Sequence, residues 1–499
     1  MMLQHLAVWT ACAVLAAAPF DTIYVDVTNP NCPGTGTEAD PYCSVQVAID
    51  AASDGDTIQV AGGIYLENID FNGKSVDLVA EPAPAVTIID GQQNGSVIRA
   101  ASGETISITG FVIRNGRSEI GGGGVLCDPC SATIANSTIT SNEANFGAGV
   151  FAGTDSILAT VDCEIRDNSS SVPVGNLSGG GVLGNRAELS LTRTAIVGNS
   201  TGRDFSSSSR GGGLLLSSCE AVLENCTISG NYAFGKGGGF VNNGDRLVLS
   251  GCTVAYNSQS RYHSNLNSGE LLVYNSIVWG TRNVESSQTL YAYSSATTHV
   301  SYSIVEGGYP GPGNLDAAPH LTAPDIGDYR LSCDSPAIDA GANVFPPEDD
   351  DIDGQPRYVD GNSDGFVQID MGAHEFDFQW AYQVIPSSPS SLVGFVAHAP
   401  PAQAGNTAWV FISGGDGQST GGIPIPGDTR RLMLDPDPIF FQWLLTPPLL
   451  REVPLTGCSN GTFFVASPQP GFAGYYAGLS FDAGLNVISV TNTKRFELP

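Results

Sequence analysis

The chain has 499 residues and carries 50 Asp and Glu against 20 Lys and Arg, a net charge of −30. A polymer this acidic repels nucleic acid and anionic membranes, and it disfavours polyanionic glycans unless calcium bridges the two. Sixty-one glycines also argue against a mainly helical architecture, since glycine is a poor helix former.

In chain order, residues 1–20 read as a secretion signal. An apolar run extends from Leu6 to Ala18, and cleavage is expected within 17–20. No later stretch approaches the roughly 18 apolar residues of a membrane-spanning helix. The expected location is extracellular or at the cell surface. Cys32 and Cys43 flank a Gly-rich loop and are expected to pair as a disulfide. An apolar segment, Val45 to Ala52, then precedes Asp54-Gly55-Asp56-Thr57-Ile58.

From residue 112 a motif repeats: an aliphatic residue, two variable ones, an asparagine, a polar stretch, then glycines and an apolar residue. Its anchors are Val112, Ile139, Ile165, Ile196, Ile228 and Val254, with echoes at Ile277 and Ile304, spaced 23 to 32 residues apart. Between anchors the hydrophobic pattern alternates with period two, as in Ala132-Thr133-Ile134-Ala135, which predicts short strands. Strands broken by Gly and Asn once per period predict a parallel β-helix of about 10 coils, each bonded to the next at about 4.8 Å. Asn115, Asn142, Asn168, Asn199, Asn231 and Asn257 are assigned to tight corners. There Asn tolerates left-handed backbone angles and can stack into a hydrogen-bonded ladder.

These repeats resemble the right-handed parallel β-helix proteins of the pectin-lyase-like superfamily. They also resemble the repeats of polymorphic outer-membrane proteins. The segment Val45–Ala52 with Asp54–Val60 is similar to the capping helix and first coil of the former group. The resemblance covers about residues 22–310 and implies a fold. It leaves the chemistry open, because such folds include lyases, hydrolases, epimerases and adhesins.

Among the remaining cysteines, Cys127 and Cys130 form a CxxC in a β loop, where a local disulfide or a plain loop is preferred to a metal or redox centre. Cys163, Cys226 and Cys252 share a register two residues before the anchor, so they are expected to point inward as buried thiols. A cross-coil disulfide between Cys226 and Cys252 is the alternative. The partners of Cys219, Cys333 and Cys458 stay open.

The stretch between Asn and the glycines varies from 4 to 11 residues, so every insertion falls at one point of the repeat. Three neighbouring inserts carry suggestive chemistry. One holds Arg203, Asp204, Phe205 and Arg210; the next Tyr232, Phe234 and Lys236; the third Arg261, Tyr262, His263 and Asn265. Aromatics with Arg and Asn suit sugar binding by stacking and hydrogen bonding, with Phe205, Tyr232, Phe234, Lys236, Tyr262 and Asn265 as contacts. Arg203, Asp204, Arg210, Arg261 and His263 are the catalytic candidates, because superfamily lyases use a basic residue, often Arg, beside a calcium-neutralised uronate.

Near residue 310 the pattern ends in Tyr309-Pro310-Gly311-Pro312-Gly313. The run Ser335-Pro336-Ala337-Ile338-Asp339-Ala340-Gly341, Asp353-Gly354 and Asp370-Met371-Gly372-Ala373-His374-Glu375 then resembles the choice-of-anchor Q segment, which closes many bacterial surface β-helices. Within it, Asp360, Asn362 and Asp364 alternate before Gly365 as in calcium loops, and Asp370 can complete the set, although Met371 stands where an EF-hand has its bidentate Glu; a structural Ca²⁺ is the candidate cofactor, and a solvated acidic turn is the alternative. The divisions are thus a signal (1–20), a β-helix (21–310), a closing segment (311–377) and a β-rich, sandwich-like accessory domain (378–499). The expected function is surface or carbohydrate binding by a monomer without catalysis. The alternative is a polysaccharide lyase or hydrolase acting on the face of residues 200–267.

Overall fold

The computed structural model describes residues 21–81, 86–171, 178–202, 209–260, 265–280 and 289–332. Between 334 and 376 it describes all but 345, 346, 348 and 363–365, and from 380 to 497 it describes strands only. Its body is a parallel β-helix. One eleven-stranded sheet runs in strict chain order from Thr22–Val25 to Thr297–Ser301, and ten-stranded and nine-stranded parallel sheets form the other walls. A six-stranded parallel sheet, from Arg117–Gly121 to Ser258–Gln259, is formed by the inserts themselves. Eleven strands in the first wall make eleven coils, one more than the repeat suggests.

One coil shows how sequence becomes shape. Cys130–Ala135 lies in the first wall, and the chain turns at Asn136 (φ 48°). Thr138–Thr140 lies in the second wall, and the chain turns again at Ser141 (φ 57°). Glu143–Phe146 runs out along the insert sheet and reverses at Gly147 (φ 53°). Val150–Ala152 then forms the third wall, and Asp155 (φ 59°) leads into the next coil. At Asn136, Ser141 and Asp155 the left-handed residue is followed by a small, buried polar one (Ser137, Asn142 and Ser156), whereas Gly147 is followed by the buried Ala148.

The register corrects the ladder prediction. Glu143 pairs with Arg117, which places Asn142 level with Gly116, not with Asn115. Asn115 is instead a corner residue (φ 58°) that donates to Asp90. The ladder proper is Asn142, Asn168, Asn199, Asn231 and Asn257, all buried. None of the five is itself left-handed; Ser141, Asp167, Gly198, Gly230 and Tyr256, one residue earlier, take that angle. The same one-residue offset affects the anchors. Ile139 pairs with Ile113 rather than Val112, and Val254 pairs with Val278 rather than Ile277. Ile277 and Ile304 lie in the outer row behind Thr253, since a shift of one residue changes faces.

The inner row Ile113, Ile139, Ile165, Ile196, Ile228, Val254 and Val278 is fully buried. Each such side chain contributes roughly 1.5–3 kcal/mol. A second interior column follows the other corner: Ser137, Cys163, Thr194, Cys226, Cys252, Ser276 and Ser303. Its side chains bond to wall carbonyls, as Cys226 Sγ does to Leu191 O at 3.2 Å and Ser276 Oγ to Tyr274 O at 2.7 Å. Cys163, Cys219, Cys226 and Cys252 are free and buried, so the alternative cross-coil disulfide does not form. Cys32 pairs with Cys43, and Cys127 with Cys130. Cys333 and Cys458 lie outside the described residues.

Both ends of the stack are covered, which hides strand edges. In front, the loop closed by Cys32–Cys43 pairs with the first strand through Tyr24 N to Gly36 O (3.0 Å) and Asp26 N to Tyr42 O (2.7 Å). Helix α1 (Val45–Ala51) plugs the interior with Val45, Ala48 and Ile49. Its N-terminus is held by Glu67 from the adjoining coil, whose carboxylate accepts from Val45 N (3.0 Å) and Gln46 N (2.9 Å). Behind, Tyr302 N donates to Pro312 O (2.8 Å) and Val305 N to Leu315 O (3.0 Å).

The segment before 376 packs on the side of the last coils. Ala373 N donates to Thr253 Oγ1 (2.9 Å), and Asn275 exchanges two bonds with Ala342. Ile277 and Ile304, in the outer row, bury there with Leu331, Ala337, Met371 and Phe376. Between 380 and 497 the strands are antiparallel, as in Trp380–Ser387 with Ser390–Ala397 and Thr407–Ser413 with Ala473–Phe481.

Candidate functional site

The insert sheet and its glycine reversals form one flank of the solenoid. The reversal is imposed by the Asn ladder. A Cβ on Gly149 would stand 2.6 Å from Gly181 O and 3.0 Å from Asn168 Nδ2; on Gly181 it would meet Gly213 O at 2.7 Å and Asn199 Nδ2 at 3.0 Å. Only glycine lets the returning chain pass this close. Beneath the reversals, Leu126, Phe151, Leu183, Leu215, Val241 and Leu266 form a buried apolar row on the outside of the third wall.

The residues just before the reversals stand in one column. Gly122 N donates to Phe146 O, Gly147 N to Ser178 O, Gly179 N to Arg210 O and Gly211 N to Lys236 O, at 3.0 Å on average spacing typical of the sheet (3.2, 3.0, 2.9 and 3.0 Å). Phe146, Ser178, Arg210 and Lys236 are therefore stacked on consecutive coils, about 4.8 Å apart. Phe146 packs edge-on against Phe151, with centroids 5.2 Å apart. Lys236 Nζ donates to Tyr293 Oη at 3.3 Å, and Tyr293 meets Tyr291 edge-on at 5.4 Å.

Of the predicted sugar contacts, Tyr232 is exposed, and its hydroxyl lies 2.5 Å from Ser260 Oγ. Phe234 is half-buried against Gly202, where a Cβ would touch Phe234 Cβ at 2.7 Å. Asn265 is not on the flank. It pairs in register with Phe240 and Leu290, so its side chain faces the interior at 1% exposure and donates to Thr289 O. Arg203, Asp204, Phe205, Arg261, Tyr262 and His263 lie outside the described residues. The sequence reading missed Ser178, Tyr291 and Tyr293. The first lies at the end of an insert without other notable chemistry; the tyrosines follow the degenerate part of the repeat, where the spacing no longer marks the register.

The acidic closing segment is organised differently from the expected loop. Asp370 is buried, and its oxygens accept from Asp339 N and Phe376 N, both at 2.6 Å. Burial pushes its carboxyl up to about 8. Glu375, also buried, is pushed up to about 10 by desolvation and by the neighbouring Asp370 charge. The fully buried Arg357 lies between them, with Nε 3.6 Å from Glu375 Oε2 and its other nitrogens on Gly372 O and Asp370 O. Asn362 N donates to Asp339 Oδ2 (2.7 Å), which brings the 360–362 loop to this cluster; Asp364 lies outside the described residues.

Asp351, Asp353 and His374 form a group whose ligand atoms all lie within 4.8 Å of one another and could hold a metal. Asp351 is committed to the backbone N–H groups of Asp353, Gln355 and Glu375. Asp353 is shared by His374 Nδ1 (3.2 Å) and Arg330 Nε (3.0 Å), and its carboxyl is held below the usual range, chiefly by His374. A mixed oxygen and imidazole set departs from the all-oxygen cage usual for Ca²⁺.

No family model and no curated protein matches the sequence. Among solved structures the chain is similar to pectate lyase Pel9A, at 14% identity and a TM-score of 0.44 over 72% of this chain and 97% of that one. It is also similar to a rhamnogalacturonan lyase, at 10% identity and 0.34 over 57% and 87%, and to a pectin methylesterase from carrot, at 11% and 0.30 over 59% and 83%.

Proposed function

We propose that this chain is an extracellular β-helix protein that binds carbohydrate, or another surface, through its insert flank without transforming it. The observation that carries the reading is the flank itself: an exposed Tyr232 and the pair Tyr291–Tyr293 beside Lys236, all on neighbouring coils of a rigid scaffold. Tyrosine faces and long cationic side chains are the usual means of holding a sugar ring and its hydroxyls. The strongly perturbed carboxylates among the described residues, Asp370 and Glu375, are buried in the closing segment, away from this flank. Two disulfides suit an oxidising compartment, and no described helix is long and apolar enough to cross a membrane. We assign residues 1–20 to export, 311–377 to a choice-of-anchor-like closing segment that takes a structural cation, and 378–499 to an accessory domain.

A panel of polysaccharides tests the reading by binding and by product analysis. Binding weakened by Tyr232→Ala and Tyr293→Ala, with no new reducing or unsaturated ends, is the expected result. Turnover of any glycan would transfer the assignment to the alternative, a lyase or hydrolase. The observation favouring that alternative is a half-buried Arg210 with no carboxylate beside it among the described residues, as a proton-abstracting Arg requires.

A further inference from the structure

We infer that the column Ser178–Arg210–Lys236 is an anion subsite, and that the carbohydrate taken by this flank bears carboxylate or sulfate groups. The inference rests on the carbohydrate reading and deepens it.

Three observations carry it. Ser178 is fully buried, yet its hydroxyl has no hydrogen-bond partner. Such a group costs about 1–3 kcal/mol unless something satisfies it. Arg210, one coil further on, is half-buried, and its guanidinium makes no ion pair or hydrogen bond among the described residues. A chain with 50 acidic and 20 basic side chains offers many carboxylates, so an unpaired Arg here departs from the composition. Third, Arg210 and Lys236 are direct cross-coil neighbours in the same register. Like charges placed opposite one another on adjacent strands repel. An anion lying along the column removes all three costs: it accepts from the hydroxyl, pairs with the guanidinium in a planar, two-point fashion, and separates the two cations.

The rest of the flank suits a sugar that carries the anion. Tyr291 and Tyr293 lie at the Lys236 end, and Tyr232 is exposed on the coil of Lys236. The donors repeat along the solenoid axis at about 4.8 Å, close to the length of one saccharide unit, so consecutive acidic units can meet consecutive coils. The overall charge of −30 opposes a polyanion at long range, so the attraction has to come from the contacts made within this column.

The test uses the full chain and three probes titrated calorimetrically at low salt: a hexauronate, a sulfated galactan hexamer and uncharged cellohexaose. The expected result is at least one acidic probe binding about tenfold or more tightly than cellohexaose, with the advantage shrinking as salt rises. The carboxylate and sulfate arms show which group the column prefers. Arg210→Ala should remove most of the advantage and leave cellohexaose binding intact, Arg210→Lys should restore part of it, and melting curves should confirm that each variant is folded. Equal binding of acidic and neutral probes, or a preference untouched by Arg210→Ala, overturns the inference while leaving the carbohydrate reading in place. If no glycan binds, that reading falls. Inorganic sulfate then decides the subsite alone: binding lost in Arg210→Ala upholds it, and no binding overturns it.

Discussion

Asn168 donates its side-chain amide to Asn199 Oδ1 at 3.0 Å, while its own Oδ1 accepts from Asn142 at 3.0 Å. Each interior Asn also donates to a wall carbonyl, as Asn168 Nδ2 does to Ile139 O at 2.9 Å. The amide is thus a link between three coils, and its loss leaves buried polar groups unpaired on both sides.

Asn168→Ala should therefore destabilise the fold by about 2–4 kcal/mol, the sum of two or three orphaned buried groups. Asn115→Gly keeps the left-handed corner and loses one bond to Asp90, whose carboxylate still accepts from Arg114 Nε and Gln92 N, so it should cost only about 1 kcal/mol. Urea unfolding of both variants checks this. Similar costs for the two would mean that the ladder has no special weight.

The glycines divide in the same way. Gly181→Ala forces a methyl into Gly213 O and Asn199 Nδ2, so a loss of at least about 2 kcal/mol is expected, by the overpacking argument. Gly103, unlike Gly181, is left-handed (φ 87°), but nothing lies within 4 Å of its missing Cβ. Gly103→Ala should cost about 1 kcal/mol, from backbone angle alone. Equal midpoints in thermal melts would refute the close-approach account of the repeat glycines.

Asp370 and Glu375 make the closing segment sensitive to alkali. Both have folded values raised above the ordinary range of about 4, so the folded state holds protons that the unfolded chain releases. Their favourable contribution is complete below about pH 4. It declines as the pH rises and is gone above about 8 for Asp370 and about 10 for Glu375. Glu375→Gln, which resembles the protonated acid, should flatten the fall in stability between neutral and alkaline pH. Parallel pH profiles for the wild type and the variant would count against a proton held there.

Burial pushes the Cys163 thiol up to about 11 and the Cys226 thiol well above its ordinary value. Neither Cys163, Cys219, Cys226 nor Cys252 should react with iodoacetamide before unfolding. Ser and Thr occupy the same column on other coils, so Cys226→Ser should cost less than Cys226→Val, which cannot donate to Leu191 O. Mass spectrometry of alkylated native protein and melting of the two variants test both statements.

Much of this architecture is legible in the sequence because one coil is short and its corners are chemically strict. Asn142, Asn168, Asn199, Asn231 and Asn257 mark one corner of each coil, and the glycines that must pass them follow at each reversal. The register fails only at the ends of the repeat. At Val112 and Ile277 two adjacent aliphatic residues compete for the inner position, and nothing local distinguishes Val112 from Ile113 or Ile277 from Val278. The choice is made by the strand alongside. Asn265 misleads for a related reason: a polar residue next to an insert reads as surface, whereas its pairing with Phe240 turns it inward. The column of Ser178, Arg210 and Lys236 is hidden when the repeat is counted from its asparagines, because the insertions differ in length; counted back from the glycine runs it is legible, since each member immediately precedes one.

The two interior columns have a consequence for how such a chain can change over time. Every corner offers the same donor and acceptor to the coil above and the coil below, so a whole coil copied in place finds its bonds already provided. Each duplication would lengthen the insert flank by one step of about 4.8 Å. Reach along a polymer can thus be adjusted by gene duplication of some thirty codons, while the capped ends and the side-docked segment stay as they are.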